Sequence, residues 1–220
     1  MTQLIIFCDF DGTITMNDNI IAIMKHFQPE GWKEILEKAM NQEISIKATI
    51  GSMFALLPSS QREVVIQFAL DNMQIRPGFA EFLSYCHEQD IQFLVTSGGI
   101  DFFVYPTLQP FGIEKQQIFC NQSNFTQERI IIEWPHPCDE QCSQDCGMCK
   151  ATLIRSYPAN QYTRILIGDS ITDFAGAKLA DFIFARSHLA TECSKLEMPY
   201  FAYESFFEVM EQLKKLKTNL

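Results

Sequence analysis

The sequence predicts an α/β fold: a parallel β-sheet covered by helices on both faces, with a helical segment inserted near its start. Three observations carry this expectation. Apolar runs of strand length alternate with helical stripes from about residue 77 onward. Residues 17–76 carry helical periods and turn signals but no strand-like run. The acidic or Ser/Gly-rich turns at Asp9, Ser97 and Asp169 each follow an apolar run, where open α/β sheets place their ligands. The expected organisation is a core of residues 1–16 and 77–220, with residues 17–76 as a helical insertion.

In order, Leu4 to Asp9 reads as the first strand. Asn17 or Asp18 can cap a helix carrying Ile20, Ile21, Ile23, Met24 and Phe27, which Pro29-Glu30-Gly31 ends. Trp32, Ile35, Leu36, Ala39 and Met40 keep a helical period, and a third helix runs from Ile46 until Pro58 stops it. Ser60 and Glu63 have capping-box spacing before a fourth helix, Val64 to Met73. Phe79, Phe82, Leu83 and Cys86 make the next helical stripe. Ile91 to Val95 is a strand leading into Thr96-Ser97-Gly98-Gly99, after which Asp101 can cap a helix to Leu108. Ile118 to Cys120 is a short strand, and a hairpin is expected around residues 126–129. A cysteine-rich loop precedes a helix from Lys150 to Tyr157. Arg164 to Gly168 and Phe182 to Ala185 are strands, with a helix through Ala177 and Leu179 between them and a last helix near 205–216.

Composition narrows the function. The chain has 220 residues, 47% of them hydrophobic, so one core with a smaller insert fits. A formal net charge of −10 argues against nucleic acid or an anionic membrane as partner, while a local site can still take a small anion. No apolar run approaches the ~20 residues that span a bilayer. Met1-Thr2-Gln3 lacks the basic start of a signal peptide, so the eight cysteines read as reduced thiols of a cytoplasmic protein.

Asp9 and Asp11 stand two apart at the end of a buried strand, where packing has no use for two carboxylates. Chemistry does: one as nucleophile, one as proton carrier. Asp9, Asp169 and a backbone carbonyl suit Mg²⁺, which prefers oxygen ligands. Ser97, the Gly98 and Gly99 amides and a lysine suit phosphate oxygens. Acids alone would repel an anionic substrate, and a metal resolves that conflict.

These residues resemble the haloacid dehalogenase-like phosphatases. Asp9-Phe10-Asp11-Gly12-Thr13 is similar to the first motif of that superfamily, Ser97 to the second, Lys150 to the third, and Gly168-Asp169-Ser170 with Asp173 to the fourth. The resemblance implies a Rossmann-like core whose inserted helices form a cap, closest to the phosphoserine phosphatase branch. Longer strings, residues 8–19, residues 98–106 and the tract from Trp134 to Lys150, resemble the methionine-salvage phosphatases that act on 2-hydroxy-3-keto-5-methylthiopentenyl-1-phosphate. The implied roles are Asp9 as nucleophile, Asp11 as acid and base, Ser97, Gly98 and Lys150 around the phosphate, and Asp9, the Asp11 carbonyl, Asp169 and Asp173 around Mg²⁺. Asp18 falls where the phosphoserine branch carries an acid that contacts its substrate, and it can equally be a helix cap. Met53, Phe54 and Phe102 are candidates to meet a methylthio tail, or else simple core residues. The small phosphorylated metabolite is the implied partner. Phosphoserine phosphatase or another small-metabolite phosphatase is the alternative enzyme, and a zinc-dependent interaction module on an inactive phosphatase scaffold is the alternative of another class.

Cys138, Cys142, Cys146 and Cys149 follow a C-x3-C-x3-C-x2-C spacing with His136 just upstream. Three readings are open: a structural Zn²⁺ site, a redox pair, or reduced thiols packing a loop.

Overall fold

The computed structural model describes residues 2–218. Its first strand, β1 (Gln3–Cys8), buries Ile5, Ile6, Phe7 and Cys8 completely. A strand apolar on both faces needs a neighbour on each edge and a layer above and below. β1 has them: it is the middle strand of the sheet.

Four helices follow: α1 (Asn19–Phe27), α2 (Trp32–Met40), α3 (Ile46–Ala55) and α4 (Arg62–Asp71). Asp18 caps α1 by accepting from the Ile21 amide at 2.9 Å, and Ser45 caps α3 from Ala48 at 3.0 Å. The capping box expected at Ser60 and Glu63 does not form. Pro58 opens a short 3₁₀ turn over Ser59–Gln61, and α4 starts from Gln61 without a side-chain cap. The two chain passages joining this helical segment to the sheet run side by side, with Thr15 bridged antiparallel to Ile75. Its far side is strapped to the core by Ser59 N–H donating to Glu128 O (2.9 Å) and Ile130 N–H to Leu57 O (3.1 Å).

The remaining elements are α5 (Phe79–Glu88), β2 (Gln92–Ile100), α6 (Asp101–Leu108), β3 (Ile118–Asn124), β4 (Ile131–Glu133), α7 (Lys150–Arg155) and β5 (Tyr162–Gly168). They continue as α8 (Phe174–Ala177), β6 (Phe182–Ala185), α9 (Ser187–Lys195), β7 (Phe201–Ala202) and α10 (Phe206–Thr218). Among the described residues the sheet has seven strands in the order β4-β3-β2-β1-β5-β6-β7, parallel except for β4. Its class is α/β, as the alternation of strands and helices predicts. Phe79 and Phe82 of α5 meet Phe206 of α10 at 5.1 Å between ring centroids, closing one face of the sheet. Each such ring contributes about 1.5–3 kcal/mol when fully buried.

β2 runs further than its apolar stretch. It continues through Ser97-Gly98-Gly99 to Ile100, with its register against β3 shifting between Thr96 and Ile100. The strand therefore bulges at Ser97 instead of turning. Asp101 does not cap α6, because its carboxylate accepts from the Ser123 amide (2.9 Å) and hydroxyl (2.6 Å) on β3. Among the described residues no helix is long and apolar enough to cross a membrane.

Candidate active site

Asp9 stays in the sheet through its amide, which donates to Ile167 O at 2.9 Å. The chain then winds through a wide turn, Phe10–Ile14, that swings Asp11 back toward the ends of the strands. Gly12 makes this possible with φ +75°, and a Cβ there would stand 2.4 Å from Asp169 Oδ2. Only glycine lets the turn pass so close to that carboxylate. On the other side, a Cβ on Gly99 would come within 2.8 Å of Asp11 Oδ2, so the β2 bulge and Asp11 are in direct apposition. Three strand ends, β1, β2 and β5, thus converge on one point.

Lys150 closes the group. It is 3% exposed, and its Nζ donates to Asp9 Oδ1 at 2.6 Å and to Asp173 Oδ1 at 2.5 Å. Burial alone would lower the lysine pKa, but Asp173 and Asp9 more than offset it and push it up. The cation is permanent. Asp173 is held by more than the lysine, since its Oδ2 accepts from the amides of Asp169 (3.1 Å) and Ser170 (3.0 Å). Asp173 therefore braces the turn after β5 and aims Lys150. Ser97 is fully buried, and its Oγ accepts from the Gly99 amide at 2.9 Å. Asn121 Nδ2 donates to Gly98 O at 2.8 Å and steadies the same bulge.

The carboxylates are crowded. Asp9 is pushed well above the usual range by burial and by Asp173, with Lys150 opposing. Asp169 is pushed up to about 6 by burial and by Asp173. Asp11 is pushed up to about 7, by burial first and then by the charge of Asp18. Two hydrogen bonds from Asn19 to Asp11 Oδ1, from its amide at 3.0 Å and its Nδ2 at 2.5 Å, pull the other way.

The residues present suit a hard divalent cation. Oxygens of Asp9, Asp169 and Asp173 all lie within 4.8 Å of one another. Among the described residues, the hydrogen bond to the Asp169 carboxylate is a long one, 3.4 Å from Thr13 Oγ1, which leaves lone pairs for a metal. Asp9 and Asp169 are the carboxylates best placed to hold it. The Asp11 carboxylate lies outside this trio, turned to Asn19. Asp173 reaches the trio with both oxygens already accepting hydrogen bonds.

Other expected residues fall elsewhere. Asp18 is exposed and serves as the α1 cap, acting on Asp11 through its charge. Met53 and Phe54 are 1% and 0% exposed. Both pack in the core, with Phe54 meeting Phe102 edge-on at 6.0 Å. Phe102 does border a cavity of about 760 Å³, with Arg62, Ile66, Tyr105, Ile118 and Phe125, but none of Asp9, Asp11, Lys150 and Asp169 lines it. His136 is not with the cysteine sulfurs and packs against Phe119 at 5.2 Å between rings.

Sequence reasoning missed the residues that hold the turn. Arg76 is 2% exposed and donates to Thr13 O (2.7 Å), Gly12 O (2.7 Å), Thr15 O (3.3 Å) and Glu204 O (3.1 Å). Arg186 donates to Gly12 O at 2.9 Å. Asn19 was overlooked as well. Its near-total burial, beside acids at the start of a helix, follows only from the fold.

Comparison with known proteins gives this geometry a lineage. A family model described as haloacid dehalogenase-like hydrolase matches residues 6–178. A protein of Brevibacillus brevis named 2-hydroxy-3-keto-5-methylthiopentenyl-1-phosphate phosphatase is 50% identical over 218 residues, 99% of this chain and 98% of its own. A protein of the same name from Geobacillus thermodenitrificans is 45% identical, covering 98% of this chain and 97% of its own. Among solved structures, a phosphoserine phosphatase with a phospho-aspartyl intermediate analogue aligns with TM-score 0.71 at 18% identity, over 96% of this chain and 99% of that one. At that identity the likeness speaks for the fold alone. With its family model spanning most of the chain and relatives at such identity over nearly full length, this chain belongs to the haloacid dehalogenase-like hydrolases.

Proposed function

We propose that the chain is a phosphatase that releases inorganic phosphate from 2-hydroxy-3-keto-5-methylthiopentenyl-1-phosphate, the compound in the names of its near-full-length relatives. The observation that carries the chemistry is the pairing of a buried Asp9 beside Lys150 with an Asp11 whose pKa lies near 7. Asp9 is the nucleophile. Its carboxylate oxygen attacks phosphorus, the bond from phosphorus to the substrate oxygen breaks, and Asp11 gives that oxygen its proton. Asp11, now a carboxylate, takes a proton from water as the water attacks the aspartyl-phosphate, freeing Asp9 and inorganic phosphate. A group that must first give and then accept a proton works best with a pKa close to the ambient pH. Ser97, the amides at the Gly98 bulge and Lys150 face the phosphoryl oxygens as charge shifts onto them.

Phosphatases of this family generally use Mg²⁺, which Asp9, Asp169 and the Asp11 carbonyl would hold, with Asp173 bracing them. When bound, the ion supplies positive charge that lets an anionic phosphate approach the carboxylates. The segment of residues 17–76 serves as the cap that shields the reaction from water, with the paired passages at Thr15 and Ile75 as its connection to the core. The salvage compound is preferred to phosphoserine because relatives 45–50% identical over nearly the full chain carry its name, whereas the aligned phosphoserine phosphatase is 18% identical.

Phosphate release from the salvage compound, with Mg²⁺ and after EDTA, tests this reading. Chelation should stop turnover and added Mg²⁺ should restore it. Asp9→Asn should lower kcat by at least about 10³-fold, since no covalent intermediate can form. Near-normal turnover by Asp9→Asn would defeat the assignment.

A further inference from the structure

The segment between β4 and α7, residues 134–149, has no regular secondary structure, yet it brings four sulfurs together. One Sγ from each of Cys138, Cys142, Cys146 and Cys149 lies within 4.8 Å of the other three. None of the four is in a disulfide. Apolar packing does not account for this convergence, because three of the four are only half-buried while thiols packed for their apolar character sit inside. The backbone is bent to achieve it: Asp145 and Gly147 take φ +49° and +81° on either side of Cys146. The Cys146 amide points at Cys138 Sγ from 3.4 Å, so a backbone N–H already supports one sulfur.

We infer that Cys138, Cys142, Cys146 and Cys149 hold one structural Zn²⁺ ion. A tetrahedron with Zn–S bonds of about 2.3 Å sets its sulfurs about 3.8 Å apart. That spacing fits inside the observed limit, whereas a multi-iron cluster spreads its thiolates wider. Four protein ligands leave no open position, so the ion is structural and takes no part in phosphoryl transfer. Binding expels thiol protons, so the sulfurs hold the ion more tightly as pH rises.

The site joins two parts of the molecule. Cys149 directly precedes Lys150, which contacts Asp9. At the other end, Asp145 accepts from Ser45 Oγ at 2.6 Å and from the Lys47 amide at 3.2 Å, both at the start of α3. Trp134 lies under Lys47 at 5.9 Å from Nζ to the ring centre. The ion therefore ties the backbone of the site lysine to the helical segment that we propose as the cap.

Metal analysis of the full chain, purified under reducing conditions without added zinc, tests this inference. The expected result is about one Zn²⁺ per chain, falling below about a tenth of that in the Cys142→Ser/Cys146→Ser double variant. Asp169→Asn should keep its zinc, which separates this site from the one at the carboxylates. If the double variant does not fold, Co²⁺ added to zinc-stripped wild-type protein should give the intense thiolate-to-metal absorption of a four-sulfur site. Wild-type protein with neither zinc nor a Co²⁺ spectrum, iron in place of zinc, or full zinc in a folded double variant would overturn the inference.

Discussion

Asp11 is a carboxyl kept close to neutral by its surroundings, and Asn19 sets how close. The two Asn19 hydrogen bonds favour the charged form. Asn19→Ala deletes the side-chain bond and keeps the backbone one, so it should raise the Asp11 pKa and move the basic limb of the kcat/KM–pH profile upward by about half a unit. The same change should lower kcat by roughly 10-fold through lost positioning. An unmoved basic limb would mean that Asn19 does not tune Asp11. Asp11 also has a stability consequence. Its folded pKa of about 7 exceeds the unfolded value of about 3.9, so the folded state holds the proton more tightly. That contribution is complete below about pH 4 and is lost as pH rises through about 7. Asp11→Asn should therefore be inactive yet melt higher than wild type at pH 8 in EDTA, by roughly 2–4 °C per kcal/mol gained, with the gap shrinking toward pH 5. A lower melting temperature at pH 8 would contradict the assigned shift.

At the scale of elements, the turn after β1 is the part on which the site depends, and it is held from outside. Arg76, just before α5, places one guanidinium on the carbonyls of Gly12, Thr13 and Thr15. Arg76→Ala would leave the Thr13 and Thr15 carbonyls buried without partners, while Gly12 O keeps Arg186, so urea denaturation should show a loss on the order of 2–4 kcal/mol. A loss below about 1 kcal/mol would show that the turn stands without it. This device was not legible in the sequence, where Arg76-Pro77-Gly78 reads as a boundary: the partners lie 61, 63 and 64 residues away. The acidic turns themselves were legible, because two carboxylates after a buried apolar run have no packing purpose. Caps were legible only in part. Asp18 caps α1, whereas Asp101 is drawn off by Ser123 on a neighbouring strand, and Ser60 is displaced by the turn that Pro58 opens. In each miss a tertiary partner or a proline outweighed a local preference. α9 carries only Leu189 and Cys193 as buried residues, too thin a stripe to announce a helix.

Across the whole molecule, the α/β class could be read from the strand and helix periods, because burying both faces of β1 demands layers above and below. What sits over the site was harder to read. Met53 and Phe54 have the chemistry of a pocket for a thioether, but the fold spends them on joining the helical segment to the core. Steady-state kinetics on the salvage phosphate and on phosphoserine, side by side with Mg²⁺, test the proposed function most directly. We predict a kcat/KM for the salvage phosphate at least about 100-fold higher. Equal values, or a preference for phosphoserine, would contradict it.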